Sequence, residues 1–147
     1  MSLPRQLLPG ATYLVTRRCT QRQFLLRPAP LLNQIVAFCL ALAAWRTGVR
    51  LHAVCVMSNH WHLVLTDPHA RLPECLHWAH TYIARCVNLL YDRTENVWDP
   101  REYSAVLLEH PDDVLDKIVY TLAHPVTAHL VAHARDWPGF HTAALSF

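Results

Sequence analysis

The sequence predicts an α+β fold in which helices pack on one face of an antiparallel sheet, the ferredoxin-like arrangement. The first observation behind this is the order of the predicted elements, β-α-β-β-α-β followed by a third helix. The second is a pair of apolar segments joined only by Ser58 and Asn59, a connection typical of an antiparallel hairpin. A chain of 147 residues with 52% hydrophobic residues can bury one core, and we expect one domain over residues 1–147.

The first half of the chain provides three of the predicted strands and one helix. Residues 11–18, ATYLVTRR, are rich in β-branched residues and tyrosine, which favours a strand. Residues 31–48 are mostly apolar over a helical length, and Gly48 is well placed to end that helix. Residues 49–57 and 60–66 are the two strands of the hairpin.

The second half provides two helices and the last strand. Residues 74–93 follow two prolines and predict a helix, and residues 103–109 predict a fourth strand. Proline and two aspartates at residues 111–113 favour the first turn of a third helix. We predict that this helix ends near Ala123, because a residue that precedes a proline, here Pro125, disfavours helical backbone.

Two histidines interrupt the second strand of the hairpin, within VCVMSNHWHLVLTD. Side chains alternate along a strand, so His60 and His62 share one face while Trp61 and Leu63 point towards the core. Two imidazoles side by side on a rigid strand supply half of a metal site. Random placement of 11 histidines gives about 0.8 such triplets, so a hydrogen-bonded pair without a metal is the alternative interpretation.

The third helix carries a tyrosine on its polar side. Apolar residues between 114 and 122 cluster on one side at about 100° per residue, and Tyr120 projects roughly opposite them. His124 lies one turn further along. The spacing predicts a tyrosine and a histidine that act together; the alternative is an ordinary surface tyrosine near a helix end.

These residue types point to phosphodiester chemistry. A phenol has a pKa of about 10 and is a weak nucleophile at neutral pH unless it is activated. A divalent ion held by imidazoles can polarise a phosphodiester and stabilise charge on the leaving oxygen. Attack by Tyr120 would then cut a nucleic-acid strand and conserve the energy of the broken bond in a phosphotyrosyl linkage.

Charge is distributed unevenly along the chain. Residues 1–66 contain seven arginines and no acidic residue, whereas residues 67–147 carry a net charge of −5. Twelve of the 13 basic residues are arginine, whose planar guanidinium suits phosphate groups. We expect the basic half to face nucleic acid; a genome rich in G and C would explain the preference for arginine but not the asymmetry.

The motif VMSNHWHLVL resembles the histidine–hydrophobic–histidine motif of the IS200-like single-tyrosine (Y1, HUH) transposases. The similarity to the branch associated with repetitive extragenic palindromes (REP) covers nearly the whole chain: YLVTRR, VWDPREYSAVLLE, IVYTLAHPVTAHLV and DWPGF. It implies an HUH endonuclease-type fold. It also implies a metal-dependent enzyme that nicks and joins single-stranded DNA through a 5′-phosphotyrosine intermediate and recognises DNA hairpins.

By position, the resemblance implies His60 and His62 as metal ligands and Tyr120 as the nucleophile. His124 falls where the family has asparagine or glutamine as a third ligand, and His129 replaces a glycine of the family's NPVRAGLV segment. The implied cofactor is Mg²⁺ or Mn²⁺. Because three imidazoles suit manganese, cobalt, nickel or zinc better than magnesium, we expect this chain to accept softer ions than its relatives.

Four arginines are predicted to contact DNA. Arg17, Arg18 and Arg22, in and after the first strand, are candidates for contacts to backbone phosphates, and the alternative is a solvated basic loop. Arg101 lies in WDPREYS, a segment that resembles one near the DNA in the family. Contact with DNA and support of the fold are equally good interpretations of that segment.

Two rival functions follow from the same residues. One is a transposase descendant that binds DNA hairpins without cutting; the other is a metal-binding protein unrelated to DNA, which the acid-free residues 1–66 disfavour. Five cysteines without a C-x-x-C pair and a start without a long apolar region predict a cytoplasmic protein. We expect no membrane partner, and the resemblance favours a monomer over a dimer.

Overall fold

The computed structural model describes residues 6–144 and contains a four-stranded sheet and three α-helices. Every strand and helix that the sequence predicts is present, with bounds that differ by at most four residues. The strands are β1 (Ala11–Arg18), β2 (Arg50–Val56), β3 (His60–Asp67) and β4 (Ser104–Leu108), and the helices are α1 (Pro30–Thr47), α2 (Leu72–Leu90) and α3 (Pro111–Thr127).

The sheet has the strand order β2-β3-β1-β4, and all neighbouring strands are antiparallel. The register of the central pair places Arg18 opposite His60 and Thr16 opposite His62. The β1-α1-β2 and β3-α2-β4 connections each skip one strand and return parallel to the strand they left. This is the split β-α-β pattern of ferredoxin-like folds, so the predicted α+β fold with an antiparallel sheet is confirmed.

Helices α1 and α2 cover one face of the sheet and form the main core with it. Trp61, Leu63 and Leu65 of β3 point to this face and are fully buried. By length and mean hydropathy α1 is apolar enough to cross a membrane, a test that the core helix of a folded domain also passes. Seven residues of α1 and seven of α2 are buried, so this face supplies most of the apolar burial.

Helix α3 lies on the opposite face, which departs from the prediction that the helices share one face. That prediction holds for α1 and α2 only. The reason is that β1 and β3 are apolar on both sides: Leu14 and Val64 point away from the main core and are buried with Ile118 and Leu122 of α3 packed against them. A third helix is therefore needed to keep this second apolar surface out of water.

The predicted end of α3 near Ala123 was wrong, because Pro125 lies inside the helix. A proline cannot donate the helical hydrogen bond to the carbonyl four residues earlier, but helical hydrogen bonding resumes after Pro125. The Ala128 N–H donates to the His124 carbonyl at 2.9 Å, and the Leu130 N–H donates to the Pro125 carbonyl at 3.0 Å. Because the helix continues, His124 stays in helical register with Tyr120.

The start of α2 depends on a buried carboxylate. Asp67, at the end of β3, accepts hydrogen bonds from the backbone N–H groups of Arg71 and Leu72 at 2.9 and 2.7 Å. Free N–H groups at a helix start need such acceptors, and the helix dipole favours a negative charge there. With these two hydrogen bonds, α2 begins at Leu72, two residues before the predicted start at residue 74.

Candidate functional site

Three histidines from two elements meet on the face of the sheet that α3 covers. Strand β3 contributes His60 and His62, which alternation places on the same side, and α3 contributes His124. One ring nitrogen from each lies within 4.8 Å of those of the other two, and the Nε2 atoms of His60 and His124 are 3.2 Å apart. Within residues 6–144 no other group of three metal-ligating side chains is found.

Two neighbouring side chains fix the orientation of the strand histidines. Nδ1 of His60 is 2.7 Å from the Asn59 amide oxygen, and Nδ1 of His62 is 3.0 Å from the Thr16 hydroxyl. An amide oxygen only accepts, so Nδ1 of His60 carries the proton and its Nε2 presents a lone pair. Hydrogen bonds of this kind set the tautomer and ring orientation of metal-binding histidines.

The environment keeps these imidazoles neutral. Burial, and after it the positive charge of neighbouring groups, lowers the pKa of His62 to about 3 and that of His60 to about 4. Burial also lowers the pKa of His124. Neutral imidazoles keep the lone pairs that a metal ligand requires, so at pH 7 no proton competes strongly for them.

The cluster fits a divalent metal ion. Nε2 of His62 is buried and has no hydrogen-bond partner among the described residues, a costly arrangement that a bound ion would relieve. Two imidazole nitrogens bound at about 2.1 Å to one ion lie roughly 3.0–3.4 Å apart, which matches the 3.2 Å between His60 and His124. His60, His62 and His124 can therefore hold one ion, with nitrogen ligands only.

Tyr120 borders the same cluster. Its ring centroid is 5.6 Å from that of His62 and 5.6 Å from that of His124, which follows it by one helical turn. Tyr120 is 43% exposed, so it is not enclosed in the core. The Lys117 ammonium lies 5.2 Å from the centre of the Tyr120 ring and places a positive charge beside it.

Two cavities on either side of Tyr120 contain the four predicted DNA-contact arginines. A cavity of about 380 Å³ holds the histidine cluster, Tyr120, Arg18 and Arg22. A neighbouring cavity of about 430 Å³ is bordered by Tyr120, Arg17 and Arg101. The structure thus brings every predicted site residue to one surface.

Two of these arginines contact Asp99, in the segment before β4. Arg17 donates to the Asp99 carbonyl at 3.0 Å, and the Arg101 guanidinium reaches the Asp99 carboxylate at 3.1 Å. Arg101 is largely solvent-exposed, so this ion pair contributes little stability. The Arg17 contact joins β1 to the segment before β4, whereas the Arg101 contact lies within that segment.

Thr16 and Asn59 belong to the site, although the sequence did not single them out. Asn59 precedes His60 directly, and its place within the histidine motif was an available signal. Thr16 is found only through the pairing of β1 with β3, which places it opposite His62. That register depends on contacts between distant segments and cannot be derived from local pattern.

The fold and the site define a class: a ferredoxin-like sheet with a histidine pair on a central strand and a tyrosine on the helix that faces it. Two solved structures of similar fold are those of transposases. The structure of a REP-associated tyrosine transposase bound to a REP hairpin has a TM-score of 0.81 and 18% sequence identity, covering 97% of this chain and 82% of that chain. A candidate transposase from Deinococcus radiodurans R1 has a TM-score of 0.55 and 18% identity, covering 80% of this chain and 93% of the other.

At this level of identity the likeness is one of fold. No family model matches the chain, and no curated protein does. The fold that the sequence resemblance implies is confirmed by these structures.

Proposed function

We propose that this chain is a metal-dependent single-stranded DNA endonuclease and strand transferase of the IS200-like single-tyrosine kind. The observation that carries the proposal is the position of Tyr120, whose ring lies 5.6 Å from two of the three clustered histidines in a cavity bordered by arginines. The likeness in fold to two transposases supports it.

In the proposed reaction, the Tyr120 oxygen attacks the phosphorus of a phosphodiester. A bond forms between that oxygen and phosphorus, and the bond from phosphorus to the 3′ oxygen of the preceding nucleotide breaks. The phenol proton passes to solvent or to a neighbouring base, and the departing 3′ oxygen takes up a proton. The product is a 5′-phosphotyrosyl strand and a free 3′-hydroxyl, and attack by another 3′-hydroxyl reverses the step and joins the strands.

The remaining residues bind and orient the phosphate. Bound by the histidines, a divalent ion would polarise the phosphate and stabilise charge on the leaving oxygen. Arg18 and Arg22 border the cavity and are placed to bind the oxygens of the phosphate or of its neighbours along the strand. Lys117 brings a further positive charge to the side of Tyr120.

We propose hairpin DNA as the substrate and a monomer as the working form. One structural neighbour is bound to a REP hairpin, and the basic residues 1–66 of this chain contribute much of the surface around the cluster. Phosphate contacts of this kind supply affinity that falls steeply as salt concentration rises.

Formation of a covalent protein–DNA adduct tests the proposal. The chain is incubated with Mn²⁺ and a labelled single-stranded oligonucleotide that contains a hairpin, and adducts are resolved under denaturing conditions. We expect an adduct with the unmodified protein and none with Tyr120→Phe, which lacks only the attacking oxygen. Tyr91→Phe is the matched control, because Tyr91 is 42% exposed, like Tyr120, but lies at the end of α2.

The outcomes separate the rival functions. Binding without an adduct in the unmodified protein would favour a hairpin-binding module and overturn the enzymatic proposal. A protein that binds Mn²⁺ but no DNA would favour a metal-binding protein unrelated to DNA.

A further inference from the structure

A third cavity adjoins the histidine cluster; Tyr120 does not border it, and nothing in the proposed chemistry uses it. Its volume is about 560 Å³, within the range of small-molecule sites. His60 and His124 border it, so it opens directly onto the candidate metal centre. Its other walls are mainly apolar and include Phe24, Met57, Leu130 and Trp137.

The walls of this cavity are held in place by backbone and side-chain hydrogen bonds. The Trp137 indole N–H donates to the Val56 carbonyl at 2.9 Å, which fixes a buried ring. The loop that carries Phe24 is tied to the β2–β3 hairpin, because the Leu26 N–H donates to the Ser58 carbonyl at 2.9 Å. Leu130 lies three residues after the end of α3, and its N–H donates to the Pro125 carbonyl of that helix at 3.0 Å.

Two of the apolar side chains on this cavity remain exposed. Phe24 is 60% exposed and Leu130 is 56% exposed, whereas Met57 and Trp137 are buried. Single exposed apolar residues are common on protein surfaces. Here two of them border one cavity that also contains a buried tryptophan and meets a metal-binding cluster, and grouped apolar surface of this kind marks binding sites.

The chemistry of the lining indicates a flat, largely apolar ligand. No aspartate, glutamate, lysine or arginine lines the cavity, so it offers no counter-charge to a phosphate or to a cation. An unstacked nucleobase has an apolar π face that packs on aromatic side chains, whatever its sequence. The arginines that suit phosphates border the other two cavities instead.

The position of the cavity indicates which nucleotide of the DNA substrate it would bind. In an in-line displacement, the attacking and leaving oxygens lie on opposite sides of phosphorus. Tyr120 borders the two arginine-containing cavities but not this one. With Tyr120 attacking from the side of those two cavities, the leaving 3′ oxygen and its nucleoside would lie on the other side of the phosphate, where Phe24 and Leu130 border this cavity.

We propose that this cavity binds the base of the nucleotide immediately 5′ of the phosphate that is cut, with Phe24 as its stacking residue. The inference rests on the proposed function and adds a substrate-binding subsite to it. Occupation of the subsite would hold the leaving nucleoside in line with Tyr120 and would give cutting a base preference at that position.

The test uses single-stranded hairpin oligonucleotides with a randomised stretch beside the hairpin. Strands released by the unmodified protein carry the nucleotide immediately 5′ of the cut at their new 3′ end, and sequencing these strands locates the cut. A defined oligonucleotide is then made with an abasic residue immediately 5′ of the cut, and a second is made with an abasic residue two positions 3′ of it. Rates of adduct formation are measured in a single turnover with the unmodified protein, Phe24→Ala, Leu130→Ala and Phe38→Ala.

Stacking on one aromatic ring contributes about a tenfold effect. We expect Phe24→Ala to slow adduct formation about tenfold on the intact oligonucleotide and to have less than a twofold effect on the 5′-abasic one, because the contact is already absent there. Leu130→Ala follows the same pattern with a smaller loss. Phe38→Ala, which removes a 69% exposed phenylalanine from α1, behaves like the unmodified protein on every oligonucleotide.

Two results would overturn the inference while leaving the proposed function intact. One is an unchanged rate for Phe24→Ala on the intact oligonucleotide; the other is a loss of equal size on the intact and 5′-abasic oligonucleotides. Phe24→Tyr, which keeps a ring at this position, must recover the rate. An absence of adducts with the unmodified protein would instead contradict the proposed function, and this inference would fall with it.

Discussion

The two faces of the sheet differ in how much they bury and in what they carry. On the first face, α1 and α2 bury seven residues each, and Trp61 is fully enclosed. On the second face, only two residues of α3, Thr121 and Pro125, are buried. Stability is concentrated on the first face, while the tyrosine and the histidine cluster lie on the second.

Because the two faces differ in this way, adjacent residues of one strand can contribute to different properties, one to stability and the other to the site. Trp61 and His62 are adjacent in β3 and point to opposite faces of the sheet. The core side tolerates little change in volume, whereas the site side is partly open and lined by polar groups. Substitutions on the two sides should therefore separate stability from metal binding and cutting.

Trp61→Ala is expected to have the largest effect on stability. Truncating a buried tryptophan leaves a cavity and costs about 3–5 kcal/mol of unfolding free energy, whereas His62→Ala in the metal-free protein costs under about 2 kcal/mol. Denaturant unfolding of both variants without metal measures the difference. Equal losses of unfolding free energy in the two variants would contradict the view that stability is concentrated on the first face.

Thr16→Val is expected to weaken metal binding by roughly 10–100-fold while keeping the fold, because the His62 ring loses the hydroxyl that orients it. Thr12→Val is the matched control. Thr12 lies on the same strand and bonds Thr66 through its hydroxyl at 2.7 Å, away from the cluster. Calorimetric titration with Mn²⁺ measures both, and equal affinities for the two variants would count against the role given to Thr16.

His124→Asn is expected to shift the metal preference. Replacing an imidazole ligand with an amide oxygen favours Mg²⁺, so the ratio of the rate in Mn²⁺ to the rate in Mg²⁺ should fall roughly tenfold. Adduct formation in the two metals measures this ratio. An unchanged preference would remove His124 from the ligand set.

His129→Gly is expected to have the smallest effect, and a favourable one. His129 ends α3 with a φ of 59°, in the left-handed region where a side chain costs about 1 kcal/mol relative to glycine. Thermal unfolding should show a stability gain of about that size with adduct formation unchanged. A loss of stability would mean that the His129 side chain makes contacts that outweigh the strain.

The sequence predicted the parts of the fold that local pattern controls. The bounds of β1 follow from its β-branched residues and tyrosine, and the shared face of His60 and His62 follows from alternation. The polar side of α3 with Tyr120 follows from helical periodicity. The face on which α3 packs was not predictable in this way. An amphipathic helix has one apolar side, but the local sequence does not determine the face of the sheet against which that side packs.

The parts that were missed depend on contacts between distant segments. Continuation of α3 through Pro125 depends on the hydrogen bonds of the turn that follows, and the role of Thr16 depends on strand register. The approach of His124 to within 3.2 Å of His60 joins residues 64 positions apart. Local propensity carries no information about any of these.

The central claim is that Tyr120 and the histidine cluster act on a single phosphate group. Mass spectrometry of a trypsin-digested covalent adduct tests it most directly. Cleavage after Lys117 and Arg135 releases residues 118–135, in which Tyr120 is the only tyrosine. We expect the nucleotide remnant on that peptide and no adduct when a chelator removes the metal. A remnant on another tyrosine, or an adduct that forms equally well without metal, would contradict it.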